Sequence, residues 1–571
     1  MNPHQFSPTE VFVTWNWPDI QPIFEELRRQ PLHADSVEGW LAEWSQLHNL
    51  LEETFNRLYV ATTCHTDDKA TEERFQRYLQ EIFPYNEQAE QTLKERFIKS
   101  GLTLAGLEMP LRNLRAEADL YCEENIPLLS QEKKMITRYD QIIGGQSVIW
   151  KGEELPLPKL QPVFQSTDRG EREEAWRLAS ARQLEDKAAI DELWREFVAL
   201  RRKLAEQRGL SDYRTYRWQQ MLRLNYTPQD CQRFHAAVEE VVLPAVQRIT
   251  QKRGRQMGLS SLRPWDMQAD PLGRSPLRPC QNAVELKDGC ARVLRRVHPR
   301  LGEYFDTLIK ESLLDLENRK GKAPGGYCIE FPLAKRPFIF MNAVGNHDDV
   351  LTLVHEGGHA FHAFEQFRLP YHIQLCRNLE FMEVASTAME YLTSPYLERG
   401  EGGFYTPQEA ARAMVERLEN VLLFLPYMTV VDAFQHWVYE HPERAESGEE
   451  CDRVWGSLWQ RYMKHEDWSG LEREMQSGWQ RKLHIHEDPF YYIEYGLAEL
   501  GAVQIWMNAQ DDQPAAVERY LYALGLGGTE TVPRLYEAAG VKLIWEKADL
   551  QRIVQFVEDQ LERISPLAEK I

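Results

Sequence analysis

The sequence predicts a mostly α-helical protein: a large, two-lobed helical body with one small β-sheet. Residues 1–200 are rich in Glu, Leu, Gln, Arg and Ala, and apolar side chains such as Trp40 and Trp44 recur there at helical spacing. Residues 170–208 are typical of one or two long helices. The short apolar run Phe338–Ala343 follows a proline and is the best strand candidate.

Two stretches rich in Gly and Pro interrupt the helical pattern. The first, from about Gly254 to Pro279, indicates a loop or connector. The second, Gly321–Pro337, precedes the strand candidate. We therefore expect the small sheet near residues 325–343, with helices again from there to the end of the sequence.

The net charge of the chain argues against some classes of binding partner. The 571 residues carry a formal net charge of −21. A chain this acidic lacks the basic field that holds nucleic acid or an anionic membrane surface, although a local basic patch would be compatible with it. We expect no nucleic-acid and no membrane partner, and the sequence leaves the oligomeric state open.

Cysteine usage and apolar runs indicate the compartment. The eight cysteines form no CxxC pair, which disfavours a disulfide framework and suits a reducing cytosol. The N-terminus has neither the basic nor the apolar region of a signal peptide. The longest apolar stretch, near Val421–Val431, is too short to span a bilayer. We expect a soluble, cytoplasmic protein.

The segment that carries chemistry begins at Asn346, a good helix N-cap. His355 and His359 are four residues apart, so both imidazoles project from one helical face and can reach one metal ion. Glu356 can contact a metal-bound water but is not placed as a third ligand. This is the HExxH pattern, in which the glutamate is the general base.

Two glycines, Gly357 and Gly358, lie within this predicted helix. Each costs about 1 kcal/mol relative to alanine in a helix interior, so a helix built only for stability would avoid them. We expect them to let another element pack close to the metal helix.

A third protein ligand is needed, and Leu379–Leu392 reads as a second helix that could supply it. Glu383 and Glu390 fall on one face of this helix, and Glu380 competes with Glu383 on spacing alone. Glu390 suits a role as acceptor of a proton from a ligand histidine, and a surface or salt-bridged glutamate is the alternative.

The motifs together resemble peptidase family M3, the zinc oligopeptidases. The resemblance rests on HEGGHAFH (355–362) and EVASTAMEY (383–391), with GKAPGGYC (321–328), PFIFMN (337–342) and RPWDM (263–267) resembling the oligoendopeptidase F branch. It covers about residues 200–560. It implies an N-terminal helical region over residues 1–200 and an M3-like zinc metallopeptidase catalytic domain over residues 201–571.

The same resemblance implies the cofactor and part of the architecture. One zinc ion per chain would be held by His355, His359 and Glu383, with Glu356 as the catalytic base. The helical body would contain a deep substrate channel, and the small sheet beside the HExxH helix would offer an edge strand to the peptide. Phe338–Ala343 is the candidate for that edge strand, and an ordinary buried strand is the alternative.

A third block, residues 481–496, crowds imidazoles and phenols together. The resemblance implies that a histidine and tyrosines here stabilise the oxyanion and bind substrate, which His484, Tyr491 and Tyr495 match by position. Donors aimed at a developing oxyanion lower the barrier of acyl transfer. His486 and Tyr492 remain close rivals.

The expected function is a zinc-dependent endopeptidase that hydrolyses short unstructured peptides with a metal-activated water. One alternative is a carboxypeptidase or peptidyl-dipeptidase with the same zinc chemistry. Another is a peptide-binding protein without catalysis, whose signature would be a missing base or ligand. The sequence contains the base, Glu356, and the three ligands, His355, His359 and Glu383.

Overall fold

The computed structural model describes residues 15–570, and most of them are helical. The α-helices, in chain order, are α1 (Trp17–Arg29), α2 (Val37–Cys64), α3 (Lys69–Glu81), α4 (Phe83–Ser100), α5 (Glu108–Leu120), α6 (Ile126–Gly144), α7 (Gln161–Phe164), α8 (Arg169–Glu185), α9 (Lys187–Gln207), α10 (Tyr213–Gln220), α11 (Pro228–Ala237), α12 (Leu243–Met257), α13 (Ala283–Val297), α14 (Pro299–Lys310), α15 (His347–Gln366), α16 (Leu379–Leu392), α17 (Pro407–Glu440), α18 (Pro442–Ala445), α19 (Gly448–Tyr462), α20 (Glu472–Gln476), α21 (Leu483–His486), α22 (Tyr492–Gly525), α23 (Val532–Ala538) and α24 (Lys547–Ala568). The predicted fold class is confirmed, and residues 170–208 form two helices, α8 and α9.

The strands form two small sheets. They are β1 (Ser147–Trp150), β2 (Glu153–Pro156), β3 (Leu314–Glu317), β4 (Tyr327–Phe331) and β5 (Arg336–Ala343). The first two pair as an antiparallel hairpin, which the sequence did not predict. The other three form a sheet in the order β3-β5-β4, at the place where a small sheet was expected.

Of the two alternatives left open for Phe338–Ala343, the candidate edge strand was wrong, and the structure shows an ordinary buried strand. This run lies in β5, the central strand, which pairs in parallel with β3 and antiparallel with β4. Ile339 is the partner of Leu314 on one side and of Cys328 on the other, so β5 is flanked by a strand on both sides at this position. The edges of this sheet are β3 and β4.

The chain divides into two compact units, each built from separated segments. The first contains the segment ending at Asp119 with Arg278–Pro407 and Gly501–Leu543, and the second contains Leu120–Leu277, Gln408–Leu500 and the segment from Ile544. Helix α22 contributes its first residues to the second unit and the rest to the first. The boundary expected at residue 200 separates a helical region from a catalytic domain, whereas these two units are separated by compactness. The boundary at residue 200 stays a prediction.

In the first unit, the HExxH helix α15 packs against the three-stranded sheet and against α16. Its start is fixed by a capping box: the Asn346 side chain accepts from the Asp349 N–H at 2.9 Å, and the Asp349 carboxylate accepts from the Asn346 N–H at 3.0 Å. The predicted N-cap is therefore confirmed. Such reciprocal caps satisfy backbone donors that a helix start otherwise leaves open.

In the second unit, α17 extends the apolar stretch Val421–Val431 into a helix of 34 residues. It is the one helix in residues 15–570 that is long and apolar enough to cross a membrane. Within the protein, however, 72% of its most apolar window is buried. The buried core helix of a soluble protein can be equally long and apolar, so length and composition alone do not indicate a membrane span.

Candidate metal centre

Helices α15 and α16 bring three sequence-predicted ligands together. Glu383 Oε2 lies 3.6 Å from His355 Nε2 and 4.0 Å from His359 Nε2. One donor atom from each of the three side chains lies within 4.8 Å of the others. Glu380, the rival on spacing, is outside this group and is buried.

Gly358 explains how α16 comes so close to α15. A Cβ built on Gly358 would lie 2.4 Å from the Ala385 carbonyl oxygen and 2.5 Å from the Ser386 Cα, so only glycine fits. The same construction at Gly357 meets only the Phe361 ring, at 3.6 Å, which is ordinary contact. The expected close approach thus depends on one of the two glycines.

Glu390 fixes the orientation of a candidate ligand. The Nδ1–H of His355 donates to Glu390 Oε1 at 2.8 Å, which leaves Nε2 free to face Glu383. Metal-binding histidines commonly donate their second ring proton to a carboxylate in this way. Of the two readings left open for Glu390, the structure supports the contact with the ligand histidine.

The surroundings of the cluster perturb its titrating groups. Burial raises the pKa of Glu356 to about 7, partly offset by His355 and by a hydrogen bond from the Cys328 N–H. Burial lowers the pKa of His359 to about 4. The pKa of His355 is raised to about 9, because burial is outweighed by Glu390 and Glu383.

The donor set fits a zinc ion. Two imidazoles and a carboxylate are the protein ligands of many catalytic zinc sites, which keep a fourth position for water. Donors bonded to one tetrahedral zinc lie about 3.4 Å apart, and the separations of 3.6 and 4.0 Å between Glu383 and the histidines approach this. Glu356 and Glu390 add negative charge, which favours a cation here.

His484, Tyr491 and Tyr495 lie together in the second unit. The ring centres of Tyr491 and Tyr495 are 5.8 and 5.7 Å from that of His484, and the Tyr495 hydroxyl is 3.5 Å from His484 Nε2. Burial and the nearby Lys482 lower the pKa of His484 to about 4, so its imidazole is neutral at pH 7.

His484 and His486, the two candidate histidines of this block, differ in burial. His486 is fully buried and stacks on Tyr139, with ring centres 4.2 Å apart, whereas His484 is partly exposed. Tyr492 is buried, and Tyr491 and Tyr495 are partly exposed. The partly exposed members are therefore the ones that a substrate could contact.

The structure adds supporting residues that the sequence did not indicate. Phe490, next to Tyr491, has φ of 67°, a left-handed conformation that costs energy for a bulky residue. Its N–H donates to Gln435 at 2.6 Å, and its carbonyl accepts from Arg223 at 2.5 Å. These partners are distant in sequence, so no local pattern could have identified them.

Several known proteins of similar sequence or fold are described as peptidases. The chain is 24% identical to oligopeptidase PepF of Bacillus subtilis over 277 residues, 48% of this chain and 40% of that protein. The chain thus spans less than two thirds of the length of this relative. Among solved structures, PZ peptidase A with an inhibitor has a TM-score of 0.88 and 26% identity, with 99% of this chain and 100% of that chain covered. A structure described as an oligoendopeptidase F has a TM-score of 0.87 and 25% identity, with both chains covered completely.

A family model identifies most of the chain. The model of peptidase family M3 matches residues 163–555, which include α15, α16 and the block that contains His484. The match begins within the helical region before residue 200 and extends into α24. By this match, and by the resemblance of its HExxH and EVAS segments, the chain belongs to peptidase family M3.

Proposed function

We propose that this protein is a zinc-dependent endopeptidase that hydrolyses short, unstructured peptides. The observation that carries the proposal is the convergence of His355, His359 and Glu383, with donor atoms within 4.8 Å, beside Glu356 on the same helix. Membership of peptidase family M3 supports it, as do the names of the similar proteins.

A zinc ion held by His355, His359 and Glu383 would supply a Lewis acid and a water of lowered pKa. Glu356 accepts the proton of the attacking water and later passes it to the leaving amine, the usual work of a general base that becomes a general acid. Glu390 keeps the His355 ring oriented through Nδ1.

His484, Tyr491 and Tyr495 are proposed to bind the substrate and donate hydrogen bonds to the developing oxyanion. Neutral imidazole and phenol groups can donate such bonds without carrying charge into the site. Support comes from their mutual contacts and from their partial exposure.

Strand β4 is the proposed partner of the substrate backbone, in place of β5. It is an edge strand, and it packs against α15, the helix that carries the proposed base. An extended peptide gains main-chain hydrogen bonds by adding to a sheet edge.

The test of the endopeptidase assignment is a peptide blocked at both ends. With an acetylated N-terminus and an amidated C-terminus, only internal cleavage is expected, and mass spectrometry of the products locates the bond. If only peptides with a free C-terminus are cleaved, one or two residues from that end, the enzyme is a carboxypeptidase or peptidyl-dipeptidase. Binding of the peptide without cleavage by the zinc-loaded protein would instead indicate a peptide-binding protein.

A single zinc ion at the catalytic site, short peptide substrates and a cytoplasmic location are parts of this proposal. Zinc content can be measured by atomic emission on the purified chain. Folded proteins should not be cleaved under conditions in which the blocked peptide is.

A further inference from the structure

A second group of metal-binding side chains lies away from the candidate metal centre, within the second unit. Helix α11 carries Cys231 and His235, and helix α17 carries Asp432 and His436. Each pair is four residues apart, so both members point from one face of their helix. The sequence contains this signal only as two short, widely separated patterns, Cys-x3-His and Asp-x3-His.

The two histidines converge on the Asp432 carboxylate, and the Cys231 thiol lies close to it. The Nε2–H of His235 donates to Asp432 Oδ2 at 2.8 Å, and His436 Nε2 lies 3.2 Å from the same oxygen. Donor atoms of Cys231, Asp432 and His436 all lie within 4.8 Å of one another.

This group is buried and incompletely satisfied. Cys231 and Asp432 are 0% exposed and His436 is 3% exposed. Asp432 Oδ1 has no hydrogen-bond partner among the described residues, and His436 Nε2 has only its ion-pair contact with Oδ2 at 3.2 Å. A buried carboxylate oxygen without a partner destabilises the folded state. The open oxygen, beside a thiol and an imidazole, indicates a place for a cation.

We propose that Cys231, Asp432 and His436 bind a buried zinc ion. A thiolate, an imidazole and a carboxylate are the ligand types that zinc takes in proteins, and water would complete the tetrahedron. The thiolate and carboxylate balance the charge of a divalent ion in a buried place. His235 donates a hydrogen bond to Asp432 Oδ2 and leaves Oδ1 for the ion. Carboxylates that bind a metal commonly accept such a hydrogen bond.

Binding releases one proton, because the Cys231 thiol must ionise to form the S–Zn bond. The ring proton of His436 must move from Nε2 to Nδ1. Nδ1 now accepts a hydrogen bond from Arg214 at 3.3 Å, so zinc binding would break this bond and leave Arg214 with its second partner, Glu440.

The test uses the full chain with the candidate catalytic site disabled by His359→Ala and Glu383→Ala. This background removes the first metal centre, so the result does not depend on the proposed peptidase activity. We expect it to retain one Co²⁺ or Zn²⁺ per chain after dialysis. The cobalt form should show a thiolate-to-cobalt charge-transfer band, which a His/His/Glu site cannot produce.

Two cysteine variants in this background identify the ligand. Cys231→Ser should abolish the band and weaken zinc binding by more than about 100-fold, since changes outside the ligand set already cost 10–100-fold. Cys451→Ser is the matched control, because Cys451 is also fully buried in this unit but donates to the Ala445 carbonyl. It should leave the band and the stoichiometry unchanged.

His436→Gln provides a second variant in case Cys231→Ser does not fold, and circular dichroism checks both. Added zinc should raise the melting temperature of the background protein and not that of His436→Gln, because a ligand stabilises only the state that binds it. A background protein that holds no metal would overturn the proposal and leave a metal-free ion-pair network. A retained ion without the thiolate band would overturn it as well.

Discussion

Gly358 on α15 lies directly against the Ala385 carbonyl on α16, where even a methyl group would come within 2.4 Å of the oxygen. His359 is the next residue after this contact, and Glu383 lies two residues before Ala385. The distance between the two candidate ligands is therefore set by a contact that tolerates no side chain.

Gly358→Ala should lower the free energy of unfolding by about 1–3 kcal/mol, the usual cost of overpacking a tight contact. Because α15 and α16 move apart, zinc affinity should fall as well. Both effects can be measured, by calorimetry of the apo protein and by competition with a chelator.

Gly357→Ala is the matched control, since its Cβ would meet only the Phe361 ring at 3.6 Å. It should retain zinc affinity and gain up to about 1 kcal/mol from better helix propensity. Equal loss of zinc in both variants would mean that the Gly358 contact does not set the ligand spacing.

Glu390 should control zinc affinity without being a ligand. Glu390→Ala removes the acceptor of the His355 Nδ1–H and should weaken zinc binding about 10–100-fold. Glu390→Gln keeps an acceptor oxygen but loses the charge, so its effect should be smaller. The ordering of the two dissociation constants is the measurement, and identical affinities in the wild type and Glu390→Ala would contradict the role.

The buried pair of Arg223 and Glu494 should support the turn before Tyr491. Arg223 Nη2 donates both to Glu494 at 2.8 Å and to the Phe490 carbonyl at 2.5 Å. Arg223→Met should destabilise the protein by about 3–5 kcal/mol, because it leaves a carboxylate buried without this cation. Adding Glu494→Leu should restore part of the lost melting temperature.

If the same turn positions Tyr491, Arg223→Met/Glu494→Leu should still show a reduced kcat at temperatures where it is folded. Its zinc content should be unchanged, since none of the proposed zinc ligands is altered. A doubly substituted protein with wild-type kcat would show that the turn has no part in catalysis.

Asp266, in the RPWDM segment, should contribute stability that depends on pH. Burial opposes its charged form, but hydrogen bonds from Arg169, Arg172 and the Arg263 N–H outweigh burial and lower its pKa below the usual value. A lowered folded-state pKa stabilises the protein above the unfolded pKa of about 3.9, and this is lost as pH falls through the folded value.

Asp266→Asn should therefore lower the melting temperature at pH 7, with a cost of about 3 kcal/mol, and the difference from wild type should shrink below about pH 4. Asp306→Asn is the control, because its ion pair with Arg295 is about half exposed and worth at most about 1 kcal/mol. If the melting temperatures of Asp266→Asn and wild type differ by the same amount at every pH, the charge of Asp266 does not stabilise the protein.

Local patterns were enough to predict the helix that carries the HExxH pattern. The Asn346 cap, the His355–His359 spacing and the need for a small residue all follow from helix geometry, and the structure bears out the cap and the close packing. The choice of Glu383 over Glu380 did not follow from spacing and came from the family resemblance.

Long-range pairing could not be predicted in the same way. Phe338–Ala343 was correctly assigned as a strand, but its central position depends on β3 and β4, whose short sequences give weak strand signals. The same holds for Cys231 and Asp432, which meet only because α11 and α17 pack together. The position of β5 in its sheet and the approach of Cys231 to Asp432 both depend on contacts between distant segments. The residue pattern within one segment cannot predict such contacts.

The central claim is that Glu356 is the proton acceptor in a metal-dependent hydrolysis, and Glu356→Gln tests it most directly. The amide has nearly the same shape, so zinc content should match the wild type. The kcat for the blocked peptide should fall by about 10²-fold or more, on the scale of general-base contributions. A zinc-loaded Glu356→Gln variant that cleaves the peptide at the wild-type rate would contradict the account.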